Sequence, residues 1–139
     1  MTRKFKIEWP DFGVVIPVEL LDQENPELCE VFWQCLPFET IFAASMSAGE
    51  MFKVPIPFTL PDVPVEKLVA FAEQPVGTLF SLGWGSLLLK YGIVVEPFRL
   101  PVLGRVVEED LDKLRMVAVK LRDAYFFTKE INLATFKKA

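Results

Sequence analysis

The chain has 139 residues, the length of one domain with a substantial hydrophobic core. It is 52% apolar, contains 13 Phe and no His, and carries a net charge of −4. The absence of His excludes imidazole general-base catalysis, Ser-His-Asp and Cys-His nucleophiles, and His-based zinc sites. The acidic balance argues against nucleic-acid binding, which needs clustered Lys and Arg. The basic residues near the two ends, at 3–6 and 137–138, are expected to be solvated termini.

The compartment follows from the cysteines and from the apolar runs. No apolar run approaches the ~20 residues that span a bilayer, and the first residues lack an apolar signal segment. Cys29 and Cys35 are six residues apart on one predicted helix, so they face different ways and are expected to be reduced. We therefore expect a cytoplasmic protein without membrane contact, metal or cofactor.

The chain opens with the pattern of a β-hairpin. Apolar and charged residues alternate over 3–9, which predicts a half-buried strand. A Pro-Asp-Phe-Gly turn follows at 10–13, and residues 14–20 alternate again.

Two longer helices are predicted. The first runs from Pro26 to about Leu36 with Asn25 as its N-cap. The second begins at the acidic residues 108–110 and ends near Phe127, with an apolar seam that packs on the sheet or on a partner helix. Residues 65–73 predict a short third helix, and the four prolines of 55–64 predict an extended connector.

Further strands are predicted at 41–46, 77–82, 86–91 and 100–107, the middle two joined by a tight turn at 83–85. The elements together indicate a single, mainly β domain over 1–139. We expect a mainly antiparallel closed sheet or barrel, with a helix after the first hairpin and a long C-terminal helix.

Strand parity provides the first candidate site. Trp84, Ser86, Leu88 and Lys90 share one face of a strand, while the other face is the natural core side. If the first face lines a cavity, Lys90 binds an anionic group or forms an imine with a carbonyl, and Trp84 is an apolar wall. The alternative is a solvated lysine.

A second candidate is the loop 45–50, where Ser47 offers a hydroxyl and Glu50 a carboxylate base. The alternative is an ordinary turn. Arg99 is a candidate carboxylate clamp, or else a surface arginine. The chain contains no G-x-G-x-x-G segment, no P-loop and no EF-hand spacing, so nucleotide or calcium binding by those routes is excluded.

Three segments carry a resemblance to a known family: WGSLLLKYG at 84–92, ELCEVFWQCLP at 27–37 and SAGEMFKVPIP at 47–57. They resemble a bacterial family of unknown function with a cyclophilin-like fold. The resemblance implies a small antiparallel β-barrel with helices at its ends. It extends to the cyclophilin-like domain of cucumopine synthase, which condenses histidine with 2-oxoglutarate in a Pictet–Spengler cyclisation. Prolyl isomerase activity is not expected, because the F-H-R-type motif of true cyclophilins needs a His.

Two functions remain open at this level. The first is binding or processing of a small anionic metabolite, of amino-acid or oxo-acid type, in a pocket on the barrel. Lys90 and Glu50 would be its catalytic residues, with Trp84, Ser86, Arg99 and Ser47 as binding residues. The second is a non-catalytic, oligomerising or peptide-binding module whose exposed aromatic side chains form an interface. Both allow a homo-oligomer.

Overall fold

A computed structural model describes residues 2–57, 67–83 and 85–139. The predicted hairpin is present as β1 (Lys4–Trp9) and β2 (Val14–Leu20), paired in antiparallel register. Gly13 adopts a left-handed conformation, with φ of 62°, at the end of the intervening 3₁₀ turn. Every second side chain of both strands is buried, as the alternation predicts.

The remaining helices and strands follow in chain order. They are α1 (Pro26–Gln34), β3 (Phe38–Thr40), β4 (Ala43–Ala44), β5 (Gly49–Pro55), β6 (Leu68–Ala70), β7 (Thr78–Gly83), β8 (Ser86–Val94), β9 (Arg99–Val106), α2 (Leu111–Asp123) and β10 (Ala134–Lys138). A 3₁₀ turn precedes α2 at Glu108–Asp110, and a π turn continues it over Ala124–Thr128. The predicted C-terminal helix of 108–127 is therefore confirmed as a continuous helical stretch.

The strands form one curled antiparallel sheet with the order β3-β10-β1-β2-β9-β7-β8-β5-β4, and β6 pairs with β9 outside this path. The two edge strands, β3 and β4, are neighbours in the chain and are separated by residues 41–42 alone. The Thr40 hydroxyl also donates a hydrogen bond to the Pro55 carbonyl of β5. The sheet therefore curls into a half-barrel whose two edges are brought together by one short segment.

The hydrophobic core occupies the inside of this curl. Six Phe rings, Trp9 and Tyr91 pack there, linked by ring contacts such as Phe38–Phe136 and Phe52–Tyr91. Both helices bury one side against the same core. A smaller cluster around Phe71 and Phe80 covers part of the outer face of the sheet.

The structure corrects the short helix that the sequence predicts over 65–73. Residues 68–70 form β6 and residues 71–73 a 3₁₀ turn, because these residues pair with β9 instead of bonding within a helix. Most of the predicted proline connector, and the first two residues of that predicted helix, lie outside the described residues.

The two basic ends lie in or next to strands, although their basic side chains are partly or fully exposed. Residues 134–138 form β10 and pair with both β1 and β3, so this end is inside the sheet and is not a free terminus. Lys137 is ion-paired with Glu8, and Arg3 with Asp22 and Glu30. The sequence missed β10 because its partner strands lie at the far end of the chain.

The side chain of Asn25 has other partners than expected, whereas the cysteines are as predicted. Asn25 makes no side-chain cap on α1; its amide nitrogen donates to the Val102 and Lys67 carbonyls, and its oxygen accepts from the Lys67 backbone. Cys29 and Cys35 are both free thiols, as expected. Among the residues the structure describes, no helix has the length and apolar character required to cross a membrane.

Candidate functional site

Lys90 lies on the outer face of β8, on the side opposite the core-facing Leu89, as strand parity predicts. It is neither solvated nor in an open cavity, since only 4% of its surface is exposed. Its ammonium donates hydrogen bonds to the carbonyls of Phe71, Ala72 and Gln74 at 3.0, 2.8 and 2.6 Å. Burial lowers the pKa of Lys90. With three carbonyls at its nitrogen, the side chain anchors the 3₁₀ turn to the sheet.

The other predicted binding residues are not brought together. Ser86 is buried between β7 and β5, whereas Ser47 is exposed in the loop before β5. Arg99 is exposed on β9 and donates a hydrogen bond to the Leu68 carbonyl at 2.8 Å. Trp84 lies outside the described residues.

Glu50 occupies a special position in β5. The register between β5 and β8 shifts between Gly49 and Met51, so Glu50 sits at a bulge, a feature that re-aims side chains. Its carboxylate lies over Gly92 of β8, where a side chain would overlap it. The Ile93 backbone N–H donates to the Glu50 Oε1 atom at 3.3 Å.

Two arginines of α2 face this carboxylate. Arg115 Nη1 is 2.6 Å from Glu50 Oε2, and Arg122 Nη1 is 3.8 Å from the same atom. The Arg115 guanidinium also lies 5.7 Å from the centre of the Tyr91 ring. Burial raises the pKa of Tyr91, although Arg122 opposes the effect. A carboxylate, two guanidiniums and a phenol thus meet along the seam between α2 and the sheet.

A cavity of about 540 Å³ lies at the C-terminal end of α2. It is formed by the segment that joins the two sheet edges, the end of α2 and the residues that follow it. The lining consists of Ile41, Phe42, Met46, Leu121, Tyr125, Phe126, Lys129, Glu130, Ile131 and Asn132. Sequence reasoning missed it. The available signal was the run of three aromatic residues at 125–127, followed after Thr128 by one basic and one acidic residue.

Lys129 stands out by its backbone conformation. Its φ of 63° lies in the left-handed region, and among the described residues it is the one non-glycine residue found there. Its N–H donates to the Ala124 carbonyl at 2.6 Å and ends the π turn, while its ammonium donates to the Tyr125 carbonyl at 3.1 Å. Glycine would adopt this conformation without steric cost, whereas lysine adopts it at a cost.

The cavity offers an apolar wall with a polar rim. Phe42, Leu121 and Phe126 supply apolar surface, and Asn132 is a buried amide within the lining. Lys129 and Glu130, which are consecutive and both exposed, add one cation and one anion to the lining. Within the described parts of the chain, no three acidic or thiol side chains come together as metal ligands would. The arrangement is suited to an uncharged or zwitterionic molecule with an apolar body.

Comparisons with known proteins find solved structures with a similar fold. No protein-family model matches the chain, and no curated protein matches it. The chain is similar to McbB, solved in complex with tryptophan, with a TM-score of 0.86 and 25% identity. The match covers 96% of this chain and 44% of the McbB chain, so this chain spans less than half of McbB. The hypothetical protein AF2241 from Archaeoglobus fulgidus shares the fold, with a TM-score of 0.59, 13% identity, and 99% and 95% coverage. The chain therefore has the fold of the McbB region that it matches.

Proposed function

We propose that the cavity between α2 and the joined sheet edges binds a small amino acid with an aromatic side chain. The observation that carries this proposal is the presence of two consecutive, oppositely charged residues, Lys129 and Glu130, in the lining of an otherwise mainly apolar pocket. A free amino acid is a zwitterion, so an adjacent cation and anion hold its carboxylate and its ammonium together.

The apolar interior fits the side chain of such a ligand. A volume of about 540 Å³ lies within the ordinary range of small-molecule sites, roughly 300–1,000 Å³. Phe42 and Phe126 offer ring surfaces for an aromatic group, and Asn132 offers a hydrogen-bonding amide. An aromatic amino acid is one of the amino-acid or oxo-acid ligands that the sequence predicts.

The similarity to McbB supports the choice of ligand. McbB was solved with tryptophan bound, and the matched region includes nearly all of this chain. Because more than half of McbB lies outside the match, we propose binding of an aromatic amino acid and not the whole activity of McbB. We also propose that the fold is cyclophilin-like and that the chain is related to the cyclophilin-like domain of cucumopine synthase. A cytoplasmic location is proposed as well.

Glu50 remains the candidate acid–base residue. Arg122, which faces it, lies one helical turn before Tyr125, and Glu50 follows Met46 by four residues. Both Tyr125 and Met46 line the cavity, whereas Glu50 and Arg122 themselves do not. Lys90 and Arg99 are left out of this site, because neither residue lines the cavity.

Isothermal titration calorimetry with three ligands tests the proposal. L-Tryptophan is expected to bind, whereas tryptamine, which lacks the carboxylate, and indole-3-propionate, which lacks the ammonium, bind more weakly. Lys129→Ala removes the preference for tryptophan over tryptamine, and the matched variant Lys53→Ala, at an exposed lysine of β5, leaves it unchanged. Equal binding of all three ligands, or no binding of tryptophan, refutes the proposal.

The second candidate is a non-catalytic, oligomerising or peptide-binding module. The specific observation is the exposure of large apolar side chains: 77% of the Phe127 surface and 74% of the Ile131 surface are exposed. Large exposed apolar patches mark contact sites. Light scattering during size exclusion, together with the titrations above, separates the two functions, because a module of this kind assembles without binding tryptophan.

A further inference from the structure

The mouth of the pocket carries an apolar surface that extends well beyond the pocket itself. We call this surface the rim. Its members are large apolar side chains from two segments, 41–46 and 125–133, with exposed fractions from 40% to 89%: Ile41, Met46, Tyr125, Phe127, Ile131 and Leu133. Phe127 and Leu133 do not line the pocket, so the pocket alone does not account for them.

We propose that the rim is the contact surface of a homodimer, in which a second copy of this chain closes the pocket. The exposed fractions correspond to about 700 Å² of surface, if a fully exposed large side chain presents about 200 Å². A standard interface buries about 800 Å² on each partner. The exposed surface of the rim is therefore close to the total area that a standard interface buries on one partner.

Charge also favours a second copy as the occupant. The segments 41–46 and 125–133 contain two charged residues, Lys129 and Glu130, so the rim has no net charge. The whole chain carries −4, which makes two copies repel each other over most of their surface. The rim is a place where they approach without that repulsion, and a twofold axis lets one patch cover its own copy.

Closure of the pocket by the dimer rests on the proposed function, but dimer formation does not. The chain alone, without added amino acid, is therefore the right sample. The molar mass is measured by sedimentation equilibrium over a range of concentrations. Wild type is expected at about twice 15.8 kDa. Failure of tryptophan binding leaves this result untouched, so the two failures are distinguishable.

Matched leucine variants localise the contact. Leu133 in the rim and Leu68 on β6 have nearly the same exposure, 46% and 44%. Leu133→Glu and Phe127→Glu are expected to shift the mass to that of a monomer, while Leu68→Glu remains a dimer, with the circular dichroism of all three unchanged. A monomeric wild type overturns the proposal. So does a rim variant that dimerises as tightly as Leu68→Glu, or a Leu68→Glu variant that dissociates as they do.

Discussion

Replacing Lys129 by glycine separates the backbone of this residue from its side chain. A non-glycine residue in the left-handed region costs about 1 kcal/mol, and Lys129→Gly removes that cost. The more flexible unfolded chain of the glycine variant offsets about 0.4–1 kcal/mol of the gain. The exposed hydrogen bond from the ammonium to the Tyr125 carbonyl contributes little. The free energy of unfolding is therefore expected to stay the same or to rise slightly.

Ligand binding is expected to change in the opposite direction. A hydrogen bond between two charged groups, the ammonium and the ligand carboxylate, contributes about 1.5 kcal/mol, so its loss weakens tryptophan binding about tenfold. Tryptamine, which has no carboxylate, is expected to bind both forms equally. Urea unfolding measures the stability and calorimetry measures the dissociation constants. Unchanged tryptophan affinity in a stable Lys129→Gly variant would show that the side chain does not hold the carboxylate, and a marked loss of stability would contradict the backbone argument.

Three further predictions concern the rest of the molecule. Gly92→Ala places a methyl group against the Glu50 carboxylate and is expected to lower the free energy of unfolding by about 1 kcal/mol, the upper range for an exposed ion pair. Lys90→Met leaves three carbonyls without their donor and is expected to cost about 2 kcal/mol in urea unfolding. A thiol reagent at mildly alkaline pH is expected to modify Cys35 and not Cys29 in the folded chain, because burial raises the pKa of Cys29 to about 12.

Each of these predictions has a control. In a Glu50→Ala background, Gly92→Ala should lose most of its cost, and full retention would place the strain elsewhere. Lys53→Met, at an exposed lysine, should cost far less than Lys90→Met.

Cys29 keeps its proton in the folded chain from its ordinary pKa of 9 up to about 12, so its contribution to stability is full below pH 9 and is lost as the pH rises towards 12. Rapid modification of both thiols in the folded chain would contradict the burial of Cys29.

The sequence predicts the elements that depend on local pattern. Alternation located the first hairpin, and the apolar seam located the helical stretch before Phe127. It did not locate β6 and β10, because three- and five-residue strands acquire their pairing from distant partners. Residues 68–73 have helical periodicity, yet pairing with β9 outweighs this local preference.

In the candidate site, too, the sequence predicts what local pattern determines and misses what distant partners determine. Parity placed Lys90 on the correct face of β8, but the sequence does not reveal that the turn at 71–73 covers that face. The sequence does not predict the cavity, because the two segments that line it are about eighty residues apart along the chain. They meet only because the sheet curls and brings its edges together. Glu50 was singled out from its loop composition, whereas its arginine partners lie on α2, far along the chain.

The way in which the sheet ends also bears on aggregation. An exposed edge strand can pair with another chain, and a chain with 13 Phe and a mean hydropathy of +0.33 is vulnerable to such pairing. Here the two ends of the sheet are β3 and β4, strands of three and two residues joined through 41–42. A further edge strand among the described residues, β6, pairs with β9 alone and also has three residues, and edges this short are poor templates for β-sheet growth. Two copies of the chain can then meet through side chains at the rim without extending each other's sheets into a fibre.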